Sequence, residues 1–194
     1  MDEKPFYGEK DCVRTGNDIF IAGKVVVLRP EILPEEHRGT GQLLFCTGGA
    51  GSGPDAADSY VRAVSLTDGE CVRTKRSEIL GLLRPELIPD RARLQLSQIR
   101  PLDSEIPSEP EFFGYCFLPD GRYAAGVPLS DELDTGSYID VQRDYQHRLM
   151  ICDSDDNCVF EMIDGKLIFP TKQMLLDHAD EQQEQGIGGI DQSL

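Results

Sequence analysis

Ten residues near the middle of the chain, Pro101-Leu102-Asp103-Ser104-Glu105-Ile106-Pro107-Ser108-Glu109-Pro110, limit what this 194-residue sequence can become. Three prolines at that spacing fix φ and remove backbone donors, so neither a helix nor an interior strand can run through them. The serines and acids between them add little apolar surface to bury. The chain is therefore expected to fold as two modules, residues 1–101 and 112–194, joined by an extended linker over 102–111.

The charge changes at the same place. Residues 1–101 hold 15 acids and 14 bases, whereas residues 102–194 hold 20 acids and 5 bases, so nearly all of the net charge of −16 belongs to the second module. Such a chain repels phosphate, which argues against general nucleic-acid binding, where Lys and Arg must displace counterions. No run approaches the roughly 20 apolar residues of a membrane span. The start, Met1-Asp2-Glu3-Lys4-Pro5, has neither the basic residues nor the apolar stretch of a secretory signal, so a cytoplasmic location is expected. An acidic half can serve solubility alone. It can also form a face that attracts a basic protein and steers its approach, even standing in for a nucleic-acid backbone. The residues expected on that face are Asp131, Glu132, Asp134, Asp140, Asp144, Asp153, Asp155 and Asp156.

The first module reads as short strands cut by turn residues. The runs 18–22 and 24–28 flank Gly23, and 42–47 follows a Gly-Thr-Gly break. Residues 60–66 alternate, and Thr67-Asp68-Gly69-Glu70 supplies the tight turn back into 71–75. With 79–83 this makes a small, partly closed antiparallel barrel the expected layout, similar to Src-homology-like barrels. One octad occurs twice: Leu28-Arg29-Pro30-Glu31-Ile32-Leu33-Pro34-Glu35 returns as Leu83-Arg84-Pro85-Glu86-Leu87-Ile88-Pro89-Asp90, with five of eight positions identical. Each copy is expected to leave a strand and make a single helical turn with Pro at its first position. The apolar pair between the prolines would cap one end of the barrel, giving two similar lids on one core.

The loop Thr47-Gly48-Gly49-Ala50-Gly51-Ser52-Gly53-Pro54 invites comparison with phosphate cradles. It lacks the Gly-Lys-Ser/Thr that opens the helix of a nucleotide P-loop, and Gly49, Gly51 and Gly53 alternate rather than take dinucleotide spacing. A loop joining two strands is the simpler account. The run 45–51, the turn 67–70 and the stretch 79–90 together resemble uncharacterised small proteins carried on mobile elements of gut Firmicutes, over about residues 24–93. That resemblance implies a bacterial, cytosolic accessory protein acting on host machinery, and no catalytic residue follows from it.

The second module opens with a strong hairpin signal: residues 112–118, the turn Pro119-Asp120-Gly121, then 122–127. Residues 138–141 and 147–152 read as further strands, and 158–162 and 167–169 as a second hairpin around Asp164-Gly165. Thr171 is placed to cap a helix over about 172–185, followed by a frayed tail over 186–194. The fold class expected is thus mainly β or α+β: a barrel-like antiparallel module, then an antiparallel sheet with a C-terminal helix. Asp153-Ser154-Asp155-Asp156-Asn157 places oxygens like a calcium loop, but Cys158 replaces the needed Gly and Asp164 the bidentate Glu, so an acidic hairpin turn is the preferred reading.

The six cysteines form no Cys-x-x-Cys and the three histidines are scattered, so no metal ligand set and no cofactor can be read. Cys46, beside the Gly-rich loop, is the one candidate nucleophile, with His37 as its candidate base. Two functions follow. The first is a non-catalytic acidic protein engaging a basic protein surface, an inhibitor of a nucleic-acid-binding host or defence protein in the mobile-element context. The second is a small enzyme using Cys46 and the loop at Gly48, Gly49, Gly51 and Gly53.

Overall fold

In the computed structural model, which describes residues 6–100, 107–171 and 174, the most apolar short runs become the innermost strands. The first module forms a six-stranded antiparallel sheet from β1 (Cys12–Thr15), β2 (Val25–Leu28), β3 (Leu43–Gly48), β4 (Tyr60–Ser65), β5 (Cys71–Lys75) and β6 (Ile79–Leu83), in the order β1-β6-β2-β3-β4-β5. All four residues of β2 are buried, because its two faces are both covered. Val25 and Val27 pack with Leu43, Phe45, Tyr7 and the helix α1 (Asp90–Leu96) through Ala92 and Leu96. Val26 packs with Leu44, Cys46, Val61, Ala63 and the loop residues Ile19 and Ile21.

The sheet is open: β1 and β5 are its edges, and the expected barrel closure is absent. Residues 18–22 are not a strand. Gly16 and Gly23, both at positive φ, bracket them in bends, and their backbone is satisfied from elsewhere. The Ile21 N–H donates to Ser52 O at 3.0 Å, and Arg76 Nη2 donates to the carbonyls of Gly16 (2.9 Å) and Ile19 (3.2 Å). Ile19 and Ile21 are still buried, so the apolar signal was a core signal rather than a ladder signal.

Both copies of the octad adopt one backbone. Arg29 (φ −61°, ψ 129°) and Arg84 (φ −65°, ψ 125°) each lead into a 3-10 turn with Pro at its start, Pro30–Ile32 and Pro85–Leu87. The Arg29 N–H donates to Glu78 O (2.8 Å) and the Arg84 N–H to Asp11 O (3.0 Å). Each copy therefore ties its strand to the residue just before the neighbouring strand. Because β2 and β6 are antiparallel neighbours, the copies leave opposite ends of the sheet instead of closing one end.

The second module is a five-stranded antiparallel sheet of β7 (Phe112–Phe117), β8 (Val127–Leu129), β9 (Arg148–Asp153), β10 (Cys158–Ile163) and β11 (Lys166–Phe169), in the order β11-β10-β9-β7-β8. The expected return strand at 122–127 shrinks to a single bridge between Phe117 and Tyr123. Pairing resumes at Val127–Leu129, where Pro128 is tolerated because β8 is an edge. Residues 138–141 are not a strand either but the end of α2 (Glu132–Gln142), capped by Asp131, whose carboxylate accepts from the Asp134 N–H. Tyr138 and Val141 are buried at helical spacing against the sheet and the first module. The helix expected over 172–185 and the tail lie outside the described residues except at Met174, whose N–H donates to Thr171 Oγ1 at 3.3 Å. Among the described residues no helix is long and apolar enough to cross a membrane.

The two sheets meet through the helices. Around the end of α1, backbone carbonyls accept from side chains of α2 and of the segment after it. Tyr138 Oη donates to Ser97 O (2.7 Å), Gln142 Nε2 to Leu96 O (2.9 Å) and Gln146 Nε2 to Arg93 O (3.1 Å). From the other direction the Val25 N–H donates to Tyr145 Oη (3.1 Å).

Candidate interaction surface

Strand register sorts the charges of the second module to its two ends. Leu129, Phe112 and Asp153 form one row across β8, β7 and β9. Phe117, Arg148 and Ile163 form the row at the opposite end. The first row lies beside the linker end, the start of α2 and the β9–β10 turn. It gathers Glu109, Glu111, Asp131, Glu132, Asp155 and Asp156, all exposed, and the half-buried Asp153. The lateral reach from Leu129 to Asp153 is two strand spacings, roughly 10 Å. No ion pair among the described residues involves any of these seven carboxylates.

The cations lie at the other end. Among the described residues of this module they are Arg122, Arg143, Arg148 and Lys166. Arg148 bonds Glu161 at 2.7 Å and sits over the Phe117 ring. Arg122 bonds Asp120 (2.6 Å) and reaches back to Asp90 (2.8 Å). Of the eight acids expected on one face, the structure brings together Asp131, Glu132, Asp153, Asp155 and Asp156. Asp140 and Asp144 sit at the far end of α2, paired with Arg143 (3.1 Å) and with Lys24 of the first module (3.2 Å). Asp134 is not on a face at all: it is 1% exposed and bonded to Arg100.

The β9–β10 turn is built by its own acid. Asp153 Oδ1 accepts from the Asp155 N–H (2.9 Å) and the Asn157 N–H (2.8 Å), and Asn157 Nδ2 also donates to the carboxylate. The hydrogen bonds from Asn157 and Asp155 hold the Asp153 carboxyl below the usual range, so it keeps its charge in mild acid. Among the described residues no three His, Cys, Asp or Glu are placed to hold a metal ion.

Cys46 and His37 are not brought together. Cys46 is wholly buried near the end of β3, and burial pushes its thiol up. His37 is exposed beside Gly41, before the start of β3. The Gly-rich loop folds onto the start of β4: a Cβ at Gly49 would lie 2.8 Å from Tyr60 O, and one at Gly51 2.8 Å from Ser59 O. Gly48 ends β3 at positive φ, and Gly53 follows the 3-10 turn Ala50–Ser52.

One pair is invisible in the sequence. His147 Nδ1 lies 2.8 Å from Asp164 Oδ1, and the Asp164 N–H donates to His147 O at 2.7 Å. They border a cleft of about 380 Å³ between the modules, opposite Glu86, Asp90 and Arg93. A carboxylate on Nδ1 orients an imidazole, but among the described residues no Ser, Thr or Cys lines this cleft for it to activate. No protein-family model, curated protein or solved structure matches the chain.

Proposed function

We propose that this is a non-catalytic interaction protein whose acidic pole docks on a basic protein surface. The observation that carries the reading is the end of the second sheet where, among the described residues, Glu109, Glu111, Asp131, Glu132, Asp153, Asp155 and Asp156 stand without ion-pair partners and Arg100 of the first module is taken up by the buried Asp134. Surface acids spread for solubility would alternate with Lys and Arg. Here every described cation of the module lies elsewhere, which leaves a one-signed field that steers a positive partner. A surface that binds nucleic acid through phosphate has the matching sign. Blocking such a surface on a host or defence protein is the role that suits the mobile-element resemblance.

The test uses the whole chain, immobilised, to retain proteins from a bacterial lysate at about 50 and about 200 mM salt, since screening weakens exposed charge pairs. Retained proteins are then challenged with duplex DNA. The reading expects a basic protein that is released by salt and by DNA, and lost from the Asp153→Asn/Asp155→Asn/Asp156→Asn variant. The Asp140→Asn/Asp144→Asn variant should retain it. Equal retention by both variants, or retention indifferent to salt, overturns it.

A further inference from the structure

Two of the six cysteines face each other across a ladder. Cys152 on β9 pairs with Cys158 on β10, beside the Asp153–Asn157 turn. The other four face Leu83, Ala63, Val64 and Leu149. Directly opposed residues of an antiparallel pair have Cα atoms roughly 4.5–5.5 Å apart, inside the range of roughly 4.4–6.8 Å that a disulfide spans.

The two side chains also share a face. Leu149 and Ile151 point into the core under α2, so Cys152 points away from it. Phe160 opposes Ile151 and packs on that core. In a regular strand Cys158, two positions earlier, would share the inward face of Phe160. Val159 is an extra residue between them, and this bulge leaves Cys158 beside Cys152 on the outer face. Cys158 is half-buried, its thiol donating to Phe160 O at 3.5 Å, whereas Cys152 is buried. Burial, with the neighbouring Cys158, Asp156 and Asp153, raises the Cys152 thiol. Cys158 is therefore the thiol that reacts first.

We propose that Cys152 and Cys158 are a dithiol site that small disulfides oxidise to an internal disulfide, cationic ones fastest. Cys158 loses its proton to solvent, and its sulfur attacks one sulfur of the small disulfide. That S–S bond breaks, and one half leaves as a thiolate that takes up a proton. The Cys152 sulfur, deprotonated in turn, attacks Cys158 Sγ and expels the second half as a thiol. The protein thiols give up two electrons and two protons, and the small disulfide takes them up as two thiols. Asp153, Asp155 and Asp156 stand in the turn that the new bond closes, so their charge draws in a cationic disulfide and repels an anionic one. The thiol pair does not rest on the acidic pole docking a protein.

The experiment treats the full reduced chain at low salt with cystamine, which is cationic, or with oxidised glutathione, which is anionic. Mass spectrometry with peptide mapping reads the product. It should have lost two hydrogen atoms and be bridged between Cys152 and Cys158. Cystamine should act about tenfold faster than oxidised glutathione, and the Asp155→Asn/Asp156→Asn variant should shrink that preference. In a Cys71→Ser chain, which lacks the exposed thiol, Cys152→Ser should hold a stable half-cystamine adduct on Cys158, and Cys158→Ser should take up none. A bridge between any other pair, an adduct on Cys158 that never closes in the unsubstituted chain, or no reaction at all overturns the site. An unchanged preference for cystamine in the asparagine variant overturns the charge selectivity.

Discussion

Arg100 Nη2 lies 2.6 Å from Asp134 Oδ2, with the two side chains 10% and 2% exposed, so the first module ends in an ion pair buried under the second. The Ser130 N–H and hydroxyl also donate to that carboxylate. Removing one partner of a buried pair leaves an uncompensated charge. Asp134→Ala should therefore cost about 3–5 kcal/mol in denaturant unfolding. Replacing both residues with apolar ones of similar size, Arg100→Met with Asp134→Leu, should recover most of that loss. A double variant as unstable as the single one would show that the Ser130 bonds, not the pairing, carry the effect.

The contact between Tyr138 and Gly114 makes a second prediction. A Cβ on Gly114 would lie 2.5 Å from the Tyr138 ring, so α2 can approach β7 only because that strand position is bare. Gly114→Ala overpacks the site and should cost about 1–3 kcal/mol. Tyr138→Phe keeps the ring but orphans the buried Ser97 carbonyl, with an expected loss of about 1–3 kcal/mol. Thermal unfolding of the two variants checks both values.

Strands built from branched apolar runs between turn residues were legible in the sequence, as with Val25–Leu28 and Cys158–Ile163. The helix α2 was not, because Thr135, Gly136, Ile139 and Val141 are poor helix formers. The Asp131 cap is local, but what else makes it a helix is tertiary: the buried Tyr138 and the Arg100 pairing depend on chain folded in from elsewhere. The same distance hides the fate of the acids. Composition located the charge in the second half, but only register separates Asp153 from Asp144. The opposed cysteines were within reach, since the turn at 153–157 fixes the pairing of Cys152 with Cys158 by counting back along both strands.

Alkaline pH should unfold the protein gradually. Burial, with the nearby charges of Asp11 and Glu9, raises the Cys12 thiol from 9.0 to about 11. Burial raises Cys116 from 9.0 to about 12 and the Tyr145 hydroxyl from 10.0 to about 12. These groups hold their protons more tightly folded than unfolded, so their stabilisation is complete below about pH 9 and lost as pH rises toward 12. Each contributes a slope of up to about 1.4 kcal/mol per pH unit in that window. The urea midpoint should be flat from neutral pH to about 8.5 and then fall. Cys116→Ala should lower the plateau but make the alkaline limb shallower, and an unchanged slope would exclude Cys116 as a source.

Arg76 is fully buried, yet among the described residues no carboxylate forms an ion pair with it. Its Nη2 holds the carbonyls of Gly16 and Ile19, while Nε and Nη1 have no hydrogen-bond partner among the described residues. Two effects oppose each other here. A desolvated charge with unmet donors is costly, but its stem fills space beneath the bend that replaced an expected strand, and two carbonyls depend on it. Arg76→Met keeps most of the volume and relieves the desolvation while orphaning the carbonyls, so it should change stability by no more than about 1–2 kcal/mol. Arg76→Ala adds a cavity and should cost about 3 kcal/mol or more. Hydrogen exchange resolves which effect governs. Faster exchange at the Ile21 amide in both variants, with only the alanine unstable, assigns the global stability to packing and the local order of the bend to the guanidinium. Equal destabilisation by methionine and alanine would instead make the two carbonyl bonds the reason an arginine is kept in the core.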